Sequence, residues 1–179
     1  VWSGQPNAEV LRYTLPWVGV ARAVDVDPGD ANRNFVLGVH LAIVPKGIES
    51  GKKLSDFPKF AEHLARLSSF RKKTERFWVD GTFEDDLGLK LSGAFGKIYK
   101  TPKEVVVMIA NLTSQPSDAQ FELDIRRYNI GGASFSMISS SGHSGEGNAE
   151  EMGDMLKGGK ALGPYEVIAV LFARNGQKP

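Results

Sequence analysis

The chain has 179 residues, no cysteine, and 22 basic against 21 acidic side chains. Its 41% apolar and 24% charged residues are typical of a globular protein with a hydrophobic core, which excludes an intrinsically disordered chain and a disulfide-stapled scaffold. The formal net charge of +1 gives no electrostatic reason to expect binding to nucleic acid or to an anionic membrane. A helix that spans a bilayer needs about 20 consecutive apolar residues, and no apolar run in the sequence is that long.

Residues 1–34 combine aromatic side chains with prolines and glycines, which predicts aromatic-rich loops with a short element near Glu9–Leu15. Val18–Val26 alternates loosely between apolar and polar residues and ends in the turn-like run Asp27–Asp30. Because the sequence begins at Val1 and not at a methionine, we expect it to be processed or to be cut from a longer polypeptide.

Residues 35–44 form an almost continuous apolar run that is rich in β-branched side chains and ends before Pro45 and Gly47. Continuous hydrophobicity, in contrast to alternation, is typical of a strand that is buried on both faces of a parallel sheet. We therefore predict a buried parallel strand over 35–44, with His40 inside it as a core histidine that has a hydrogen-bond partner.

Residues 55–77 carry the best helical pattern in the chain. Ser55 is the predicted N-cap, and Pro58 falls in the first turn, where its missing N–H costs little. The helix has one apolar face with spacings of three and four residues, formed by Phe57, Phe60, Ala61, Leu64 and Leu67. The opposite face is mostly charged, and His63 is assigned to it.

From about residue 79 onward, short strand-like segments are separated by turn-forming residues. They recur at intervals of roughly 8–12 residues, which is typical of an antiparallel β-sandwich. The predicted strands are Leu89–Ser92, Ala94–Tyr99, Val105–Ala110, Gln120–Ile125, Ser134–Ser139 and Tyr165–Ala173. Residues 140–148 are predicted to be a flexible loop because they are rich in serine and glycine.

The first part of the chain cannot form a parallel sheet alone, because one buried strand and one helix need parallel neighbours and helices over both faces. A complete (β/α)8 barrel takes roughly 250 residues and cannot fit. We therefore predict an α+β chain. It consists of the terminal β/α piece of a (β/α)8 barrel over 1–78, with strand 35–44 and helix 55–77, followed by an antiparallel β-sandwich over 79–179.

This order of a barrel end, a long final helix and a β-sandwich resembles the C-terminal part of glycoside hydrolases, including α-amylase-like and α-galactosidase-like enzymes. Asn34–Gly38 resembles the start of their last barrel strand, and Phe57–Phe83 resembles the final helix that leads into the sandwich. Val105–Thr113 and Leu162–Val167 resemble a core strand of the sandwich and the start of its last strand. Arg12–Pro16 is similar to a segment of poorly characterised bacterial glycosidase-like proteins.

Hydrolysis of a glycosidic bond usually needs two carboxylates roughly 5–10 Å apart, held at strand ends on one face of the barrel. The resemblance implies that this pair lies mostly on earlier strands, outside this segment. Glu9 is the one carboxylate in the aromatic stretch, and the neighbouring Arg12 would keep it ionised, as a nucleophile or stabiliser requires. We therefore predict Glu9 as the catalytic candidate. The alternative is an ordinary salt bridge.

Aromatic residues near the start of the chain are candidates for substrate binding, because the apolar C–H faces of pyranoses stack on aromatic rings. The predicted substrate-binding residues are Trp2, Tyr13 and Trp17, together with Arg12. The alternative for the three aromatic side chains is ordinary packing in a core or a loop.

Oxygen-rich side chains between residues 25 and 34 match the ligands that Ca²⁺ prefers, and many proteins of the resembled architecture bind calcium. They are Asp25, Asp27, Asp30, Asn32 and Asn34. The residue order of an EF-hand is not met, so a solvated turn is the alternative and no cofactor is predicted. A second acidic cluster, Asp80 with Glu84–Asp86, is interpreted as the polar tip of a hairpin.

Two functions remain open, beside a third reading in which the chain is an unrelated α+β domain of unknown role. In the first, the chain is part of a carbohydrate-active enzyme that hydrolyses glycosidic bonds, and its partners are a carbohydrate and the remaining barrel segment of the same protein or of another chain. In the second, it is a non-catalytic carbohydrate-binding or structural β-sandwich module. The first predicts that strand 35–44 and helix 55–77 leave a large apolar patch uncovered, whereas the second predicts a self-contained fold.

Overall fold

The computed structural model describes residues 20–43 and 51–175. These two stretches contain a two-stranded parallel sheet, a four-stranded antiparallel sheet and a six-stranded antiparallel sheet. The two antiparallel sheets share a hydrophobic core, and the N-terminal helices cover the outer face of the six-stranded sheet. The chain is therefore mostly a β-sandwich with a β/α unit packed against it, as the sequence predicts.

The N-terminal part is a β–α–β–α unit. In chain order its elements are β1 (Ala21–Val24), α1 (Pro28–Val36), β2 (His40–Ile43), a 3-10 turn (Leu54–Asp56) and α2 (Pro58–Lys73). β1 and β2 are parallel, with Ala21 aligned with His40. This pairing confirms the parallel β/α character that the sequence predicts for this part of the chain.

The predicted strand over 35–44 is wrong in its extent, because Phe35 and Val36 belong to α1 and the strand is confined to β2. Both side chains are buried, at 1% and 0% exposure, on the side of α1 that packs against the core. The apolar run therefore consists of the buried end of an amphipathic helix, a turn at Gly38 and a short strand.

A capping signal upstream explains why this segment is helical. The Asp27 carboxylate accepts a hydrogen bond from the Gly29 N–H at 2.8 Å, and Pro28 occupies the first helical position. An Asp at the N-cap followed by Pro is a strong start signal for a helix. It outweighs the β-branched composition of the residues that follow.

The parallel sheet has one covered face and one open face. Leu41 and Ile43 pack against the core beneath the helices. Alternate side chains point the other way and are exposed, namely Ala21, Ala23, His40 and Ala42. The prediction of His40 as a core histidine is therefore wrong, since it lies on the uncovered face. Among the described residues, β1 and β2 pair only with each other.

The helix predicted over 55–77 is confirmed as α2 followed by α3 (Glu75–Val79), with a break at Thr74. The Thr74 hydroxyl donates a 2.8 Å hydrogen bond to the Phe70 carbonyl oxygen, which competes with the backbone ladder at this point. Ser55 is not the N-cap, because it lies in the 3-10 turn and α2 begins at Pro58. Within the described ranges, no helix is both long and apolar enough to cross a membrane.

The strands from residue 82 onward build the sandwich. They are β3 (Thr82–Asp85), β4 (Leu89–Ser92), β5 (Phe95–Lys100), β6 (Glu104–Ala110), β7 (Ser117–Asp124), β8 (Ile130–Ser139), β9 (Ser144–Asn148), β10 (Glu150–Met152), β11 (Met155–Leu162) and β12 (Val167–Arg174). The six-stranded sheet has the order β3-β5-β6-β12-β8-β9, and the four-stranded sheet has the order β10-β11-β7-β4. A short helix, α4 (Ile125–Tyr128), follows β7.

Glycine-rich strands were missed by the sequence patterns. β9 lies in the segment predicted as a flexible loop, so that prediction is wrong, and β11 is not predicted at all. A Cβ at Gly147 would come within 2.6 Å of the Phe135 ring, and one at Gly158 within 2.5 Å of the Phe121 ring. Each glycine makes room for an aromatic ring on the adjacent strand. These glycines are therefore required by a neighbouring strand and do not mark a turn.

Two hydrophobic cores lie on the two faces of the six-stranded sheet. We call the core between the sheets the inter-sheet core and the core beneath the helices the outer-face core. The Phe35 ring of α1 meets the rings of Phe70 and Trp78, with centroids 5.6 and 5.2 Å away. The Tyr99 hydroxyl donates a 2.9 Å hydrogen bond to the Val36 carbonyl oxygen. The β/α unit and the sandwich therefore share the outer-face core.

Gly29 lies where the backbone of α1 comes close to the sandwich. A Cβ there would be 2.4 Å from the Leu112 carbonyl oxygen, which is too close for any real contact. We expect Gly29→Ala to lower the free energy of unfolding by about 1–3 kcal/mol, because α1 must shift away from the sandwich. Chemical denaturation measures the change. Gly145→Ala is the matched control, since nothing lies within 4 Å of a Cβ there. Equal stability of the two variants would contradict this account of the α1 contact.

Candidate functional site

The residues predicted for catalysis and substrate binding lie outside the described part of the chain. They are Trp2, Glu9, Arg12, Tyr13 and Trp17. Their roles stay predictions.

The oxygen-rich side chains predicted as possible Ca²⁺ ligands bond to neighbouring protein groups. Asp27 caps α1, and the Asn34 amide donates to the carbonyl and carboxylate oxygens of Asp30, at 2.8 and 3.0 Å. The Arg22 guanidinium lies 3.9 Å from the same carboxylate. In the described ranges, no three His, Asp or Glu side chains are grouped as a metal site. Asp27 therefore begins α1, and Asp30 and Asn34 attach it to Arg22 of β1.

Lysines of β5 pair with the acidic cluster that the sequence places at a hairpin tip. Lys97, whose side chain is only 6% exposed, lies 2.6 Å from the Asp85 carboxylate and 3.5 Å from that of Asp86. Lys100 pairs with Glu84. The ion pairs hold β3 and the turn after it against β5, which is a structural role.

The serine- and glycine-rich loop after β8 joins two serines, a histidine and a glutamate. Ser139 and Ser141 donate to one Glu166 oxygen, the second at 2.8 Å, and the other oxygen accepts from the Gly163 N–H at 2.8 Å. Burial raises the pKa of Glu166, but these hydrogen bonds outweigh it and the pKa lies below its ordinary value. Ser141 Oγ lies 2.9 Å from His143 Nδ1. A hydrolytic triad needs the histidine between acid and serine. Here Ser141 lies between Glu166 and His143, so the order of a hydrolytic triad is not met. The hydrogen bond from the Gly163 N–H to Glu166 closes the β11–β12 turn, which is a structural role.

A cleft of about 560 Å³ lies where the β/α unit meets the sandwich. It is bounded by the start of α1, the first half of α2 and the β11–β12 turn, and we call it the junction cleft. Its walls are mainly apolar and include Val26, Pro28, Phe57, Phe60, His63 and Tyr165. A mostly apolar cavity with few polar groups is the usual form of a small-molecule site.

Asn32 of α1 is fully buried next to the junction cleft and joins three parts of the fold. Its Nδ2 donates to the carbonyl oxygens of Asn111 and Tyr165, at 3.1 and 3.0 Å, and its Oδ1 lies 2.9 Å from His63 Nε2. Since both Nδ2 hydrogens are used on carbonyl oxygens, Oδ1 must be an acceptor and His63 Nε2 must carry the proton.

His63 is a neutral hydrogen-bond acceptor in the wall of the junction cleft. Its side chain is almost inaccessible, with the residue only 4% exposed. Burial, and to a smaller extent the Arg66 guanidinium, lowers its pKa from 6.5 to about 4. With the proton on Nε2, the other ring nitrogen, Nδ1, keeps a lone pair. No described residue donates a hydrogen bond to Nδ1.

The assignment of His63 to the polar face of its helix is wrong. The buried residues of α2 are Phe60, His63, Leu67 and Phe70, which follow one helical face with spacings of three and four. This spacing is present in the sequence. The spacing was not recognised because histidine was counted as a polar residue. His63 can be buried because it has a hydrogen-bond partner in Asn32, which only the tertiary structure brings close.

Tyr165 lines the junction cleft in a backbone conformation that is rare for a residue with a side chain. Its φ of 53° lies in the left-handed region, which costs roughly 1–2 kcal/mol. Two hydrogen bonds of 3.0 Å hold it there: its N–H donates to the Thr113 carbonyl oxygen, and its carbonyl oxygen accepts from Asn32. The ring meets His63 edge-on, with centroids 6.2 Å apart. Strained residues of this kind concentrate at functional sites.

We expect His63 to make the protein less stable in acid. Its pKa is about 4 in the folded chain and 6.5 in the unfolded chain, so between these values the unfolded chain binds a proton that the folded chain does not. The free energy of unfolding should therefore fall as the pH drops from 6.5 to 4, by on the order of 3 kcal/mol from this group. Denaturation curves at both pH values measure it. His63→Gln should reduce the pH dependence. The same pH dependence in the wild-type chain and in His63→Gln would contradict the prediction.

No protein-family model matches the chain, and no curated protein is significantly similar to it. Solved structures are similar in fold. The maltogenic alpha-amylase AmyB from Thermotoga neapolitana aligns over 90% of this chain and 43% of its own, with 10% sequence identity and a TM-score of 0.55.

Two further alignments are weaker and establish no common fold. One is with an alpha-amylase from Anoxybacillus, at 17% identity over 66% of this chain and 24% of that chain, with a TM-score of 0.38. The other is with a GH30 endoxylanase from Clostridium papyrosolvens, at 11% identity over 86% of this chain and 41% of that chain, with a TM-score of 0.41. The chain is thus similar in fold to part of the maltogenic alpha-amylase and spans less than half the length of that enzyme.

Proposed function

We propose that this chain is the terminal part of a carbohydrate-active enzyme that hydrolyses glycosidic bonds, with the β-sandwich as a structural accessory domain. The observation that carries the proposal is the open parallel sheet. Among the described residues, β1 and β2 pair only with each other and leave one face exposed. Parallel sheets normally have both faces covered. The rest of a (β/α)8 barrel would supply the missing neighbours and enclose the open face.

The position of the helices agrees with this proposal. In a (β/α)8 barrel each strand is followed by a helix on the outside, and the strands enclose the interior. The β1–α1–β2–α2 order is that of two such units, and Leu41 and Ile43 face the helices as barrel strands do. The exposed Ala21, Ala23 and Ala42 would then line the interior of the barrel. The fold similarity to part of a maltogenic alpha-amylase also supports the proposal.

We place the boundary between the two parts after residue 78, near the end of α3. Residues 1–78 would complete the barrel, and residues 79–179 would form the sandwich. The proposal includes two partners, a carbohydrate substrate and the remaining barrel segment. Glu9 is the proposed catalytic carboxylate of this segment. Substrate contacts are proposed for Trp2, Arg12, Tyr13 and Trp17, with the other carboxylates elsewhere in the polypeptide.

The test uses the native polypeptide that contains this chain. Its intact mass is measured, and a panel of α- and β-linked oligosaccharides is assayed for release of reducing ends. We expect a mass far above the 19.5 kDa of the 179 residues and hydrolysis of at least one substrate. A native polypeptide of 19.5 kDa without glycosidase activity would overturn the proposal.

A substitution tests the role of Glu9 within the same assay. If Glu9 contacts the reacting sugar, Glu9→Gln should lower turnover by about 100-fold or more. Glu151→Gln is the matched control, because Glu151 is exposed on the short strand β10 and should leave turnover unchanged. Equal turnover of the two variants would remove Glu9 from the catalytic machinery and leave the proposal for the whole chain intact.

The alternative is a non-catalytic β-sandwich module. The inter-sheet core favours this alternative because the core lies entirely within residues 79–179. A carbohydrate-binding sandwich needs aromatic rings at its surface to stack on sugars. In the described part of the sandwich, no aromatic side chain is exposed. The structural version of this alternative is therefore the stronger one. Retardation of the chain in polysaccharide-containing native gels, without hydrolysis, would favour the carbohydrate-binding version instead.

A further inference from the structure

We propose that the junction cleft is a binding site for a small aromatic molecule that carries a hydroxyl group. This inference does not rest on the proposed glycosidase function, because every residue it uses belongs to the described part of this chain.

The walls of the junction cleft suit a flat apolar ring. Phe57, Phe60 and Tyr165 contribute aromatic surface from two different parts of the fold, and Pro28 adds an aliphatic wall. The volume of about 560 Å³ is within the range of small-molecule sites and is ample for one substituted ring. Aromatic walls favour an aromatic ligand through edge-to-face and offset-stacked contacts.

His63 brings a neutral acceptor to these walls, beside the charged side chains of Lys59 and Arg66. His63 donates from Nε2 to Asn32 and is neutral, so its Nδ1 can only accept a hydrogen bond. A ligand hydroxyl placed against this wall would donate a hydrogen bond to Nδ1. The side chain is almost fully buried and held by Asn32, so the acceptor is fixed in position before a ligand arrives.

The same chemistry excludes other ligand classes. A sugar has several hydroxyl groups around its ring, and in these walls most of them would lose their hydrogen bonds to water without replacement. A cationic ligand is disfavoured by Lys59 and Arg66, which contribute to the lining. A neutral phenol has one ring and one donor, and it matches both features of the cleft.

The test compares phenol with anisole, which has the same ring but no hydroxyl donor. Both are titrated into the full chain by calorimetry, and the imidazole ¹⁵N resonances of His63 are followed. We expect phenol to bind at least tenfold more tightly than anisole and to shift the Nδ1 resonance in the direction of a hydrogen-bonded acceptor. Equal affinities, no saturable binding of either compound, or an unchanged His63 resonance in the phenol complex would overturn the proposal.

Substitution of His63 tests whether its Nδ1 atom causes the preference for phenol. His63→Phe keeps an apolar wall and removes Nδ1, so the preference for phenol should fall to about twofold or less. His40→Phe on the exposed face of β2 is the matched control and should keep the full preference. If His63→Phe retains the preference, the proposal is wrong. If that variant does not fold, the ¹⁵N measurement on the unmodified chain decides the matter alone.

Discussion

Replacing Asn32 with alanine is expected to lower the free energy of unfolding by about 3–5 kcal/mol. The substitution leaves the buried carbonyl oxygens of Asn111 and Tyr165 and the His63 Nε2–H without partners, and each such group costs about 1–3 kcal/mol. Part of this loss is recovered if water enters the space. Chemical denaturation of the wild-type and variant chains measures the difference.

Two further variants show whether the hydrogen bonds of Asn32 cause the loss. Asn32→Asp keeps the size of the side chain but has no donors for the two carbonyl oxygens, so it should be at least as destabilising as alanine. Asn148→Ala, at an exposed position of β9, should change the free energy of unfolding by no more than about 0.5 kcal/mol. If Asn32→Ala is as mild as Asn148→Ala, Asn32 does not join the parts of the fold in the way described.

Residues 79–179 expressed alone are expected to unfold cooperatively but to self-associate. They contain the whole inter-sheet core, which supports a cooperative transition. Removal of residues 1–78 uncovers the sandwich side of the outer-face core, formed by Phe83, Tyr99, Val106, Met108, Ala110, Val167, Ala169 and Leu171. A contiguous apolar patch of this kind, well above a few hundred Å², drives association of an otherwise soluble domain. Denaturation and light scattering measure the two properties.

Two pairs of substitutions on β6 and β12 separate the effects of the two cores on this fragment, because adjacent residues of a strand face opposite sides of the sheet. Val106→Thr with Leu171→Lys changes the outer face and should reduce association while the transition remains. Val107→Thr with Val170→Lys changes the inter-sheet core and should abolish the transition. A monomeric unsubstituted fragment would show that the outer face needs no cover. A fragment without a cooperative transition would contradict the boundary proposed after residue 78.

Together these two results would describe how the β/α unit is attached to the sandwich. Asn32 contributes polar bonds at the edge of the contact, and the outer-face core contributes apolar burial across it. The strained Tyr165 backbone is held by the same bonds, so its conformation depends on the presence of α1. The junction cleft therefore exists only when both parts of the chain are in place.

Several elements could be predicted because the signals that determine them are local. α2 has regular apolar spacing over four turns, and the core strands β6 and β12 are strongly apolar over most of their length. Turn-forming residues mark the ends of β4, β5 and β6, which places these strands to within one residue of the prediction. These features identified the antiparallel sandwich and the β/α unit before it, and with them the resemblance to the C-terminal part of glycoside hydrolases.

Other elements depended on partners that are distant in the sequence. β9 and β11 are strands because neighbouring strands offer hydrogen bonds and aromatic rings that only glycine accommodates, as Gly158 does for Phe121. His63 is buried because Asn32, 31 positions away, accepts a hydrogen bond from its Nε2–H. No pattern within one segment contains that information, so the missed strands and the candidate site were decided by tertiary contacts.

The sequence by itself determined that this chain contains parallel β/α elements followed by an antiparallel sandwich, because helical and strand periodicities are properties of single segments. It also contained the Asp27-Pro28 signal that starts α1, although the apolar run after it favoured a strand. Only the tertiary structure decided that β1 and β2 have an open face and that Asn32, His63 and Tyr165 meet at one cleft. The physical reason is that burial and hydrogen-bond pairing of polar groups depend on contacts between segments, which the pattern of one segment does not contain.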